Sequence, residues 1–145
     1  MKTTLLESYG KKKPFFKNLS IIEDLYIRKT LFEFDKMPIL FVCVDRYLDY
    51  YLCLCVDSII ENKWLITKTK PSLLIKLIEN KISIYDTFQR SNNEIIIAKQ
   101  TKNGFTYQAF VFNDIPEDEL PEKTEKLDNN CLNDFLKELK NKECL

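Results

Sequence analysis

Pro38-Ile39-Leu40-Phe41-Val42-Cys43-Val44-Asp45, then Arg46-Tyr47-Leu48-Asp49, then Tyr50-Tyr51-Leu52-Cys53-Leu54-Cys55-Val56-Asp57 is the stretch that decides the fold. Two apolar runs of strand length flank a polar link. Both are rich in β-branched, aromatic and cysteine residues, which fit a pleated surface better than a helix. Neither run alternates between apolar and polar, so each is expected to be covered on both faces, as a central strand of an antiparallel hairpin. With residues 46–49 as a four-residue loop, Val42 stands opposite Cys53. Phe41, Cys43 and Asp45 then share one face with Leu52 and Leu54, while Leu40, Val42 and Val44 share the other with Tyr51, Cys53 and Cys55. A slip of one residue swaps these sets. Burying about six of the larger side chains contributes on the order of 10 kcal/mol before chain entropy is subtracted. Asp45 and Asp57 each close a strand, a position that suits a turn-favouring residue.

Upstream, residues 35–37 form a turn, and Pro38, which has no N–H for a ladder, suits a strand's first position. Residues 21–34 read as one strand carrying Leu25, Ile27, Leu31, Phe32 and Phe34, bulged near Arg28 and Lys29. Residues 1–20 are a basic lead-in. In it Leu5 and Leu6 suit a short helical turn, Lys11-Lys12-Lys13 precedes Pro14, and Phe15, Phe16 and Leu19 are placed to pin the segment to the body.

Downstream, Trp64-Leu65-Ile66 marks a third strand, with Trp64 as core filling. Pro71 suits the first position of a helix over residues 71–80, where Leu73, Leu74, Leu77 and Ile78 follow at helical spacing. Ser83 is placed to cap a further turn bearing Ile84, Tyr85 and Phe88. A second hairpin joins residues 94–99 to 105–113 through Asn103-Gly104, suited to a primed turn. Phe105, Tyr107, Ala109 and Val111 lie on one face of its second strand, Phe110 and Phe112 on the other.

Residues 114–128 are acidic and interrupted by Pro116 and Pro121, which exclude a helix or sheet interior and leave a surface loop. Asp128, Asn129 and Asn130 can cap a last helix over residues 129–142. Cys131, Leu132, Phe135, Leu136 and Leu139 form its apolar stripe, and Lys137, Lys140 and Lys142 complement its dipole. The fold class is therefore α+β. A single domain over residues 21–145 should hold an antiparallel sheet of about five to six strands, with the helices at 71–80 and 129–142 packed on it. The last stripe is expected on its own domain, and pairing with a second copy is its other use.

The 145 residues carry 22 basic and 22 acidic side chains. A net charge of zero gives no general attraction to nucleic acid or to anionic membranes. There is no histidine, which removes Ser-His and Cys-His nucleophile pairs and imidazole metal ligands. Only 2 glycines are present, against a glycine-rich phosphate loop. The 5 cysteines, Cys43, Cys53, Cys55, Cys131 and Cys144, are odd in number and lie partly within apolar strands. Residues 1–13 lack a secretory core and no run is long enough to span a bilayer. A cytoplasmic protein with reduced thiols is expected. Cys53-Leu54-Cys55 looks like half a zinc site, but zinc takes about four ligands and a strand is not a knuckle. No cofactor and no metal are expected.

Several pieces recur in one order: Tyr26; Phe34-Asp35 before Pro38-Ile39-Leu40-Phe41; Tyr51-Leu52; Lys63-Trp64-Leu65; Ser72 with Leu77; Ile82-Ser83-Ile84; Ile115-Pro116, Leu120-Pro121 and Leu127. Together they resemble a bacterial family of domains of unknown function with a Pro-x-Leu-Phe … Tyr-Leu … Trp-Leu … Leu-Pro pattern. This chain departs from it at Met37, where the family has glycine, and at Ile84-Tyr85, where it has arginine. The resemblance implies a small domain of bacterial or phage origin. It implies no activity and no catalytic residue.

Three functions remain to be weighed. A metal-dependent nuclease would use Asp45 or Asp57 with Glu61 and Lys63, the lysine stabilising charge beside a carboxylate-held ion. Glu-x-Lys recurs at Glu79-Asn80-Lys81, as a chain rich in both residues allows. Nucleic-acid binding would use residues 11–17, where Phe15 and Phe16 interleave with lysines. The reading preferred is a non-catalytic protein-binding module: an inhibitor, an antitoxin or immunity partner, or an accessory subunit of a defence or counter-defence system. Its expected contacts are Glu117, Asp118 and Glu119 toward a basic partner, with Lys11, Lys12 and Lys13 at the other end of the charge layout.

Overall fold

The computed structural model describes residues 13–17, 23–58, 61–91 and 94–143. Leu5, Leu6, Lys11, Lys12, Leu19 and Cys144 lie outside them. Six strands, β1 (Tyr26–Phe34), β2 (Met37–Val44), β3 (Tyr50–Asp57), β4 (Lys63–Lys68), β5 (Ile95–Thr101) and β6 (Gly104–Phe110), form one sheet in sequence order. Every neighbouring pair is antiparallel. Among the described residues the α-helices are α1 (Pro71–Ile78), α2 (Ile84–Arg90) and α3 (Asn133–Glu143). The α+β class, the single sheet and the packed terminal helix are as expected.

The central hairpin is one residue out of the expected register. Val42 pairs with Leu52, and Cys43 with Tyr51. The cause is Asp45, which belongs to the loop. Its N–H donates to Asp49 O at 3.3 Å, and Leu48 N–H donates to Asp45 O at 3.0 Å. Leu48 takes a φ of 65°, which closes the longer turn. The face sets are therefore corrected: Leu40, Val42, Val44, Tyr50, Leu52 and Leu54 share the helix-covered face, while Phe41, Cys43, Tyr51 and Cys53 share the opposite one.

Both faces are closed, as the unbroken apolar runs require. On one side Leu74, Leu77, Ile84, Phe88, Leu132, Phe135 and Leu139 of the helical layer meet the sheet. On the other, Phe16 pairs with Leu25 as an isolated bridge and is fully buried. There Trp64, 2% exposed, fills the core with its ring 5.6 Å from Phe15 and 5.5 Å from Phe16.

Local chemistry accounts for the ends of the elements. The β1–β2 ladder passes over Arg28 and Leu31 on β1 and over Ile39 on β2, so the expected bulge is present and two further register shifts follow it. In the β5–β6 hairpin the expected primed Asn-Gly turn is replaced. Lys102 and Asn103 form the link, neither with a positive φ, and Gly104 at φ 115° opens β6. Helix α1 starts at Pro71 and stops at Ile78, short of residue 80, because Asn80 turns left-handed at φ 64°. Lys81 N–H then donates to Lys76 O at 2.8 Å and Asn80 N–H to Leu77 O at 3.1 Å, a Schellman closure. Ser83 caps α2 as expected, in a reciprocal box with Asp86.

Helix α3 begins at Asn133, four residues after the expected start. Asn129 is used elsewhere: its Oδ1 accepts from Cys131 N–H at 2.8 Å and its Nδ2 donates to Leu31 O at 2.7 Å, at the second bulge. Cys131 is exposed and leaves the stripe, whereas Leu132, Phe135 and Leu139 are buried on the domain itself. Glu138 pairs with Arg28 of β1 and accepts from Tyr50 Oη at 2.9 Å. Among the described residues no helix is long and apolar enough to cross a membrane.

Candidate functional site

The acidic loop is held against one end of the sheet by three kinds of contact. Ile115 and Leu127 insert into the helix-side core, 5% and 4% exposed. Ile84 N–H donates to Glu125 O at 2.9 Å, tying the loop to the start of α2. Lys63 Nζ on β4 meets Glu119 Oε1 at 2.6 Å, with the lysine side chain 12% exposed. Two short 3-10 turns, Phe112–Asp114 and Glu117–Glu119, let the chain change direction around its prolines. The Glu119 carboxylate holds the Lys63 ammonium above the usual lysine range, against the opposing effect of burial.

Between this loop and the sheet lies a half-open groove of about 380 Å³. Its floor is apolar: Phe32 from β1, Ile39 and Leu40 from β2, Leu54 and Val56 from β3, with Ile84, Leu120 and Leu127. Its rim is acidic: Asp118 and Glu119 on one limb of the loop, Glu125 and Asp128 on the other, with Lys126 the cation among them. Glu119 is taken by Lys63. Asp118, Glu125 and Asp128 have no ion-pair partner among the described residues. Phe32 reaches from the floor up to the lip, where it is 50% exposed. Such a site can desolvate an apolar group while placing carboxylates around it.

The expected partner-binding residues divide. Asp118 and Glu119 line the groove, whereas Glu117 lies outside it, exposed and 3.9 Å from Lys123. Lys13 is exposed, just ahead of the two phenylalanines that pack on the opposite sheet face. Phe16 is fully buried and Phe15 packs beside it, so neither ring is presented to a base. The floor was not foreseen. Phe32, Ile39, Val56 and Ile84 come from four separate elements, and no local motif joins them. The usable signal was Phe32, a bulky apolar residue at the end of a bulged edge strand.

The residues weighed for a nuclease are likewise divided. Asp45 and Asp57 sit at opposite ends of β3, an eight-residue strand, so roughly 25 Å of extended chain separates them. Asp45 spends its oxygens on Tyr47 N–H, Asp49 N–H and Tyr51 Oη. Asp57, Glu61 and Lys63 do come together. Lys63 Nζ lies 3.9 Å from Glu61 Oε1 as well as 2.6 Å from Glu119, so an ammonium occupies the space between the carboxylates. Among the described residues no cluster of Asp, Glu or Cys has the geometry of a metal site. Burial pushes the Cys53 thiol well up, and the Cys55 thiol up as well, away from the reactive thiolate.

A second cavity, about 330 Å³, lies by Asp49, Lys68, Lys70 and Lys142. Its charges are largely satisfied: Lys68 pairs with Asp49 at 3.2 Å, and Lys142 donates to Leu48 O at 2.5 Å.

Comparison with protein-family models, with curated proteins and with solved structures finds no match to this chain.

Proposed function

We propose that this protein is a non-catalytic protein-binding module that receives a basic partner at the groove beneath the acidic loop. Its role would be that of an inhibitor, an antitoxin or immunity partner, or an accessory subunit in a bacterial or phage setting. The observation that carries the reading is the joining of an apolar floor to three carboxylates, Asp118, Glu125 and Asp128, that have no ion-pair partner among the described residues, in one concave surface. An apolar centre within a polar rim is the arrangement that concentrates binding energy in protein recognition. The Lys63 and Glu119 pair supports it by keeping the loop in place when the groove is empty.

The test is site-specific photocrosslinking in the cells that encode the protein, with a benzophenone side chain at position 32 on the lip and at exposed Tyr47 as control. A discrete adduct is expected at 32 and not at 47, lost when Asp118, Glu125 and Asp128 are all replaced by lysine. Equal adducts at both positions, or one indifferent to the charge reversal, would overturn the groove as the meeting point.

A further inference from the structure

We infer that the groove recognises an extended segment of the partner through a single bulky aliphatic or aromatic side chain flanked on both sides by lysine or arginine. This rests on the groove being the docking surface and adds what docks there. The size of the cavity sets the number of anchors. Its 380 Å³ lies near the lower end of the roughly 300–1,000 Å³ of ligand pockets. A helix laid into a groove brings a row of anchors at i, i+3 or i+4, and i+7, which needs a longer trough. One inserted side chain fits the floor that Leu54, Val56, Leu120 and Leu127 provide.

The charges set the flanks. Asp118 belongs to one limb of the loop, and Glu125 and Asp128 to the other, so the mouth carries carboxylates on two sides. A chain entering with its apolar side chain down places its neighbouring residues at those limbs. Cations there gain the pairing that the loop leaves unmade, while acidic neighbours meet repulsion. Among the described residues Lys126 is the one opposing charge in the lining. The three carboxylates are exposed, so each such contact forms in a largely aqueous dielectric and is individually modest, and the flanks discriminate through several of them together. The discrimination against a partner lacking the cations is therefore electrostatic and sensitive to salt.

The experiment is a methyl NMR titration of the intact protein with capped seven-residue synthetic peptides in a Ser/Gly context. Their centres read Lys-Leu-Lys, Lys-Ala-Lys, Ser-Leu-Ser or Glu-Leu-Glu. The Lys-Leu-Lys peptide should saturate shifts of the Leu54, Val56, Ile84 and Leu127 methyls. Replacing its leucine by alanine should weaken binding about tenfold or more, the expected worth of one buried aliphatic side chain. The Ser-Leu-Ser peptide should bind several-fold more weakly and lose the salt dependence, and the glutamate peptide should not bind. The Asp118→Asn, Glu125→Gln, Asp128→Asn variant changes only exposed side chains and should make the Lys-Leu-Lys and Ser-Leu-Ser peptides equivalent. Equal binding of the alanine and leucine peptides would overturn the anchor, and equal binding of the Ser and Lys versions to the unaltered protein would overturn the flanks. If position 32 crosslinks a partner but no peptide shifts the groove, single-anchor recognition falls and the docking surface stands. If both fail, both fall.

Discussion

Asp45 shows how one side chain decides the geometry of its neighbours. It is 4% exposed, and its carboxylate accepts Tyr47 N–H at 2.9 Å, Asp49 N–H at 3.0 Å and Tyr51 Oη at 3.0 Å. Burial, followed by the nearby Asp45 charge and hydrogen bond, pushes the Tyr51 phenol well above its usual range, so it stays a donor. Replacing Asp45 by alanine leaves two backbone donors and a phenol without their acceptor, each costing about 1–3 kcal/mol if water does not reach it. A loss of about 2–4 kcal/mol is expected for Asp45→Ala after partial rehydration. Urea unfolding followed through the single buried tryptophan measures it, and a midpoint unchanged from wild type would mean that the loop does not need this carboxylate. The sequence reading recognised Asp45 as a turn-favouring residue. What it could not see was that the side chain folds back on its own loop, draws Asp45 out of β2, and so swaps the two face sets.

Elements were legible where their boundary chemistry is local and hidden where it is not. Pro71 at the start of α1, and Ser83 with Asp86 at the start of α2, act within three or four residues of themselves. The start of α3 depends on Asn129 reaching the Leu31 carbonyl, a partner distant in sequence, so spacing alone placed it four residues early. The end of α1 offers a clean test. Asn80 is exposed and holds φ 64°, a conformation that costs a side chain with a Cβ about 1–2 kcal/mol and glycine almost nothing. Asparagine offsets part of that cost through local hydrogen bonding. Asn80→Ala should destabilise by about 1 kcal/mol and Asn80→Gly should be neutral or stabilise by a few tenths. The same loss in both variants would show that the asparagine side chain, not its backbone angle, is what matters at this cap.

At the scale of the molecule, a six-stranded meander sealed on both faces leaves its ends as the places where long loops must lie. The acidic loop lies over one end, and the groove is the gap between them. Its rim was half legible, since Asp118 and Glu119 announce themselves by charge. Its floor was not, because it is assembled from residues of β1, β2, β3 and α2 that only the folded sheet brings together. The loop's attachment through Lys63 can be tested by its pH dependence. Glu119 raises the folded-state value of Lys63. The pair's stabilisation is therefore complete below the unfolded lysine value of about 10.4 and fades as pH climbs through the higher folded one. Such a pair contributes up to about 1 kcal/mol, or roughly fivefold in the opening equilibrium of the loop. In Lys63→Met, amides of residues 115–128 should exchange up to about fivefold faster at neutral pH, with those of β3 and β4 unchanged. Subtilisin cleavage within 115–128 should then accelerate above about pH 10.4 in the wild type relative to the variant, since both share the other lysines and only the wild type has an ammonium at position 63 to lose. If the ratio of the two cleavage rates stays flat across that range, the loop is held by Ile115, Leu127 and the Ile84 N–H bond to Glu125 O, and the groove keeps its shape without the ion pair.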